Sequence, residues 1–141
     1  MFELDKTLSY GFSFPFEFGF VPSTIAGDGD PLDALVLSDV ATFPGCLVLG
    51  HVLGVLQAEQ RDGEQVNRND RLVAIPLSAK SQEPMIPIKT FDKALISQMT
   101  NFFIFYNEMQ GKKFKSRGLA AVSVLWTWSK EARKRARKKA Q

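Results

Sequence analysis

Phe14-Pro15-Phe16-Glu17-Phe18-Gly19-Phe20-Val21-Pro22, followed after five residues by Asp28-Gly29-Asp30-Pro31-Leu32-Asp33-Ala34, is the stretch on which the reading of this chain turns. Phenylalanine stands at 12, 14, 16, 18 and 20, the two-residue period of a strand with one buried face. The alternation predicts a strand over Gly11 to Val21 whose rings belong to the core rather than to a base-stacking platform. Pro15 cannot donate to a ladder, so that strand is expected at an edge or a bulge.

The acidic half places three carboxylates within six residues, Asp28, Asp30 and Asp33. Such crowding is repulsive unless a positive charge sits among them, and Mg²⁺ takes carboxylate and water oxygens. Gly29 opens backbone conformations closed to other residues, and Pro31 fixes the turn after Asp30. A calcium loop of the EF-hand kind needs glycine and glutamate where Asp33 and Asp39 stand. The haloacid-dehalogenase pattern puts its aspartates after a buried strand, whereas the apolar run here follows them. On spacing alone, a solvated Asp-Gly and Asp-Pro turn and a metal site both account for the segment.

Outward from this stretch, Phe2 to Leu4 reads as a short strand, and Ala34 to Leu37 as an apolar run after the turn. Pro44-Gly45 is a turn, followed by strand-like stretches at Cys46 to Leu49 and His51 to Leu56. Asp62-Gly63 marks a hairpin, with Arg71 to Ile75 returning as a strand. The period then changes: Leu95, Met99, Phe102, Phe103 and Tyr106 recur at helical spacing between Phe91 and Met109, with Gly111 as the stop. Lys112 to Arg117 reads as a basic link, and Gly118 onward as helix-prone. Short strands followed by two helices predict a mainly β single domain: a small closed antiparallel barrel of the OB kind with two flanking helices.

With 141 residues, 45% hydrophobic and 23% charged, the chain can bury a core and is not read as disordered. Its single cysteine, Cys46, excludes an internal disulfide and is expected to be a buried, inert thiol in a reducing compartment. The mixed charge of Met1 to Lys6 does not read as a signal peptide, and the apolar run Cys46 to Leu56 is too short to span a bilayer. A cytoplasmic protein without membrane contact is expected. Residues Lys130 to Lys139 carry seven Lys or Arg and one acid, so the net charge of +3 divides into a basic tail, over about 130–141, and a mildly acidic body. Such a tail reads first as a solvated helix end, with nucleic acid contact as the alternative. His51, alone in an apolar run, reads as an ordinary strand histidine.

The quoted stretch resembles the signature of soluble family I inorganic pyrophosphatases, Tyr-Pro-x-x-Tyr-Gly-(Phe/Tyr)-Ile-Pro followed by Asp-x-Asp-Pro-(apolar)-Asp. The likeness continues through Phe2 to Lys6, Pro44-Gly45, Gly54-Val55-Leu56, Leu72 to Pro76, and Phe102-Phe103 to Tyr106 with Gly111-Lys112. It implies hydrolysis of inorganic diphosphate with Mg²⁺ as cofactor, and self-association into a homo-oligomer. Under it, Asp28 and Asp33 are metal ligands, and Asp30 orients or deprotonates the attacking water. Asp62 and Asp70 are further candidate metal ligands, while Glu3, Lys6, Arg71, Tyr106 and Lys112 are candidate substrate contacts.

The chain departs from the family at several of these positions. Phe14 and Phe18 replace the two tyrosines of the prefix, Met1 stands where the early lysine belongs, and Asn107 replaces the lysine beside Tyr106. The family's Asp-Glu pair falls at Gln60-Arg61 without a gap, or at Asp62 and Glu64 with a small shift. Its Asp-x-Lys reads Asn69-Asp70-Arg71, and strand alternation sets Asn69 and Arg71 on one face and Asp70 on the other. Two functions therefore stand side by side: a diphosphate hydrolase, and a non-catalytic descendant that binds phosphate, metal or nucleic acid.

Overall fold

The structure, a computed structural model, describes residues 8–27, 29–78 and 92–120. The expected strand at Phe2 to Leu4, Glu3, Lys6, Asp28 and the basic tail lie outside the described residues. Six strands and one helix follow in the order β1 (Glu17–Val21), β2 (Leu32–Val36), β3 (Gly50–Asp62), β4 (Gln65–Arg68), β5 (Arg71–Pro76), α1 (Lys93–Glu108) and β6 (Lys113–Ala120). They form one sheet, β1-β2-β5-β3-β4, with β6 paired to β3. The fold is mainly β with a helix, as expected. Among the described residues the sheet is open rather than closed, and it is mixed rather than antiparallel, because β2 and β5 run parallel through Ala34↔Leu72 and Val36↔Ala74.

Strand β3 organises the sheet. Its 13 residues pair with β5 over their first half and with β4 over their end, while β6 runs along the opposite edge. The turn at Gly63-Glu64 closes the β3–β4 hairpin expected at Asp62-Gly63. At Gly54 the register with β5 shifts, and a Cβ there would lie 2.7 Å from the Ala120 carbonyl oxygen. Only a residue without a side chain lets β6 approach this closely.

Alternation along the strands makes two faces. One carries Leu35, Leu37, Leu56, Ala58, Val73 and Ile75, and is covered by Met99 and Phe103 of α1 and by Phe114 of β6. The other carries Ala34, Val55 and Leu72. The helix forms where periodicity predicts it. Asp92 caps it, accepting from the Leu95 N–H at 3.0 Å. Its buried residues Met99, Phe103 and Asn107 recur every four positions and face the sheet.

Several expectations change. Pro15 and Phe16 form a bend, so β1 begins only at Glu17, and Phe14, Phe18 and Phe20 are exposed rather than core. The cause is position: β1 is the end strand of the sheet and has a neighbour on one side only. Cys46 to Leu49 forms no strand: Cys46 N–H closes a turn on the Phe43 carbonyl, the Leu49 carbonyl accepts from the Leu77 N–H at 2.8 Å, and no ladder develops between them; Cys46 is exposed rather than buried. Lys113–Ala120 is strand rather than link, and the helix expected from Gly118 does not start there. One helix, not two, occurs among the described residues.

Candidate active site

The acidic segment sits in the loop joining β1 to β2. These strands are antiparallel neighbours closing on Val21↔Leu32, so the loop springs from a fixed base. Thr24, a residue the sequence reading passed over, locks that base. Its buried hydroxyl donates to the Val21 carbonyl at 2.6 Å and accepts from the Leu32 N–H at 3.0 Å. Within the loop the Ala26 N–H donates to the Asp30 carbonyl at 2.7 Å, and Gly29 adopts φ 98°, a left-handed conformation that favours glycine. Local sequence offers no signal for the threonine's role, because the two groups it joins are apart in sequence. Thr24→Val is expected to cost about 1–3 kcal/mol of stability, the scale of leaving a buried polar group unpaired. Chemical denaturation measures it, and an unchanged midpoint would show that the hydroxyl does not hold the loop.

Asp30 is exposed on the loop, and Asp33 is half-buried on β2. The register aligns Phe20 of β1 with Asp33, and the parallel pairing sets Arg71 of β5 on the other side of Asp33. The Arg71 Nε lies 3.8 Å from Asp33 Oδ2, Nη1 donates to the Asn69 carbonyl at 3.1 Å, and the guanidinium carbon sits 4.0 Å from the Phe103 ring centroid. A planar guanidinium suits this stacking better than an ammonium does, which gives the arginine a physical reason. Arg71 is itself buried, at 5% exposure.

Alternation places Gln60 and Asn69 on this same face, where the Asn69 Nδ2 donates to Gln60 Oε1 at 3.0 Å. One amide thus donates to another: Asn69 stands where the family likeness calls for a carboxylate, and Gln60 at one of the two placements open for the family's Asp-Glu pair. Asp70 turns away, as alternation predicts. It accepts from the Ala58 N–H at 3.1 Å and from Arg68 Nε at 2.6 Å, and opens on a cavity of about 150 Å³ lined also by Gln57, Glu59 and Arg117. Its carboxylate therefore serves the β4–β5 junction and is not brought to Asp33. Asp62, exposed at the hairpin end, pairs with Lys112 at 3.1 Å, so those two candidates neutralise each other.

Tyr106 is half-buried in an aromatic wall. Phe102 packs against Phe103 at 5.2 Å and against Tyr106 at 6.1 Å, and Phe14 lies 5.2 Å from Phe102 and 5.3 Å from Phe18. Asn107 is buried, its Nδ2 donating to the Phe103 carbonyl at 2.8 Å, while its Oδ1 has no hydrogen-bond partner among the described residues. For a hard cation, the oxygen donors Asp30 and Asp33 have the right chemistry. Among the described residues no group of three or more His, Cys, Asp or Glu gathers to hold a metal. Nor is any described helix long and apolar enough to cross a membrane.

A family model described as Inorganic pyrophosphatase matches residues 1–137. An inorganic pyrophosphatase of Halalkalibacterium halodurans is 34% identical over 113 residues, 80% of this chain and 67% of that protein. One from Synechocystis is 32% identical over 79% of this chain and 63% of its own length, so the chain spans about two thirds of such relatives. Among solved structures, an inorganic pyrophosphatase from Coxiella burnetii aligns with TM-score 0.78 and 28% identity, covering 93% of this chain and 77% of that one. A Helicobacter pylori enzyme aligns with TM-score 0.76 and 29% identity over 94% and 78%. Signature loop, sheet and sequence agree along nearly the whole length, and the chain belongs to the family I inorganic pyrophosphatases.

Proposed function

We propose that this chain hydrolyses inorganic diphosphate to two orthophosphates at the Asp30–Asp33 loop. One observation carries the proposal: a pinned loop carries Asp30 and leads into β2, where Asp33 stands beside the Arg71 guanidinium, in a chain matched to pyrophosphatases over residues 1–137. In the reaction a water oxygen bonds to one phosphorus as the bridging P–O bond breaks, and the water's protons end on the phosphate products. Asp30 accepts a hydrogen bond from that water and takes its proton. Asp33, with Asp28 from outside the described residues, would hold Mg²⁺, which when bound neutralises diphosphate and acidifies water. Arg71 fixes the Asp33 carboxylate; Tyr106 and, from the early segment, Lys6 donate to phosphate, as Lys112 does on leaving Asp62, while Glu3 would serve the substrate as an acceptor for the cations around it.

The proposed protein is a single cytoplasmic domain with a basic tail at about 130–141. Its exposed free cysteine suits a reducing compartment. A second copy is the proposed partner, because Val40, Phe43, Leu47 and Leu49 lie exposed on one connection, at 53–80%. Sedimentation is expected to show an oligomer, and a monomer at all concentrations would refute this.

The Gln60–Asn69 amide pair favours a second reading, a fold that binds diphosphate without turning it over. Phosphate release from diphosphate, with Mg²⁺ and with chelator, decides between them. Turnover that chelator abolishes supports the hydrolase; diphosphate binding without phosphate release supports the alternative.

A further inference from the structure

We infer that the side of the sheet turned away from α1 binds the phosphodiester backbone of a nucleic acid through Arg61, Lys113 and Lys115. This surface is separate from the proposed hydrolytic site, where Arg71, with Asp33 beside it, stacks on Phe103 of α1. Alternation makes it. Leu56 and Ala58 of β3 and Phe114 of β6 turn into the core beneath α1. Their neighbours Glu59 and Arg61, and Lys113 and Lys115, therefore point to the opposite side. The β3–β4 pairing adds Arg68 opposite Glu59 and Val66 opposite Arg61. Arg117, at the register shift between β3 and β6, reaches Glu59 on this side too.

Five basic side chains thus share one side with two acids, Glu59 and Asp70, on a body that is otherwise mildly acidic. Both acids are already engaged. Glu59 Oε1 lies 2.5 Å from Arg117 Nη2, and Asp70 Oδ2 lies 2.6 Å from Arg68 Nε. Arg61, Lys113 and Lys115 are exposed and form no ion pair among the described residues. Moreover, Arg61 stands directly opposite Lys113. Like charges facing each other across a ladder, about 5 Å apart at Cβ, destabilise a sheet. An anion between them removes that cost, so the pair itself gives the sign of the partner.

Lys115 follows about 7 Å further along β6, two residues on. Successive phosphates of a nucleic-acid strand lie a comparable distance apart, so the three charges match a chain of phosphates better than one small anion. No aromatic ring stands in the patch for a base to stack on, and Val66 is its one large exposed apolar side chain among the described residues. That leaves little to anchor a lipid surface or a protein partner. Contacts are to the backbone, and no base sequence is preferred.

The test measures binding of the full chain to a short DNA duplex of mixed sequence, by fluorescence anisotropy across a potassium chloride series. Lys130 to Lys139 add the same charge to the wild type and to every variant, so only differences between proteins are read. Arg61→Gln and Lys113→Gln are each expected to lower the slope of log K against log salt by about 0.9, the value for one phosphate contact. Lys93→Gln makes the same charge change at the start of α1, across the sheet, and is expected to leave the slope as it is. Arg61→Gln should keep or raise the urea midpoint, because it relieves the like-charge pair. Unchanged slopes in the two patch variants overturn the inference, and equal losses in all three variants do so by reporting net charge alone. A lowered midpoint in Arg61→Gln overturns it as well, since the arginine would then serve the fold. So does an oligomer that the patch variants disperse, which would put a second copy on this face. Equal, patch-dependent retention on phosphatidylserine vesicles would move the partner to a membrane and also overturn it.

Discussion

Phe103→Ala is expected to lower the free energy of unfolding by about 3–5 kcal/mol, the range for removing a large aromatic from a well-packed core. Phe103 is 1% exposed and joins three parts of the molecule. It meets Phe102 edge-on at 5.2 Å and stacks on Phe114 of β6 at 5.6 Å. Its face also carries the Arg71 guanidinium at 4.0 Å. The cavity left by alanine cannot refill easily, because its walls belong to a helix and to a sheet that are anchored independently. The substitution removes the surface on which Arg71 rests, so diphosphate turnover should fall along with stability. Urea denaturation of the wild type and variant measures the first effect. A loss below about 1 kcal/mol would mean that α1 is not the lid of this core.

Arg71→Met should reduce stability by about 2–3 kcal/mol, with a weakened response to Mg²⁺. Removing one partner of a buried pair costs about 3–5 kcal/mol, and the smaller figure allows for the 31% exposure of the Asp33 side chain, which water partly compensates. Methionine keeps most of the apolar volume over Phe103, so the variant isolates the guanidinium from simple packing. Arg71→Lys retains the charge but loses the planar stack and the fork that reaches both Asp33 and the Asn69 carbonyl. It should fall between wild type and Arg71→Met. Full restoration by lysine would show that charge alone matters at this position.

How much of this was legible in the sequence follows from the range of each interaction. The acidic loop, the Asp62-Gly63 hairpin and the helix from Lys93 to Glu108 were readable because their signals are local: turn chemistry, capping and a four-residue apolar repeat. The opposite facing of Asn69 and Asp70 was also readable, since alternation needs no knowledge of the partner strand. Which face of β1 is covered was not readable. The phenylalanine repeat says that the rings share a side, but only the place of β1 at the end of the sheet leaves that side open. Strand β6 carried an overlooked signal, because Lys113, Lys115 and Arg117 alternate with Phe114, Ser116 and Gly118. The clustered positive charge masks that period, because a run of basic residues has the composition of a link. Cys46 to Leu49 shows the converse, an apolar run without a pairing strand. Thr24, like the bond between Gln60 and Asn69, depends on contacts that the fold alone brings together.

The most direct test of the central claim compares diphosphate turnover by the wild type and Asp30→Asn at saturating Mg²⁺. Asp30 is an exposed loop residue, so asparagine should leave the fold intact, and circular dichroism verifies this. Removing a carboxylate that takes the water's proton should lower kcat by about 10²–10⁴-fold. That loss, in a folded protein whose wild type turns over, is the predicted result. Equal phosphate release by both proteins would contradict the account, for it would move the chemistry away from the loop that organises this site.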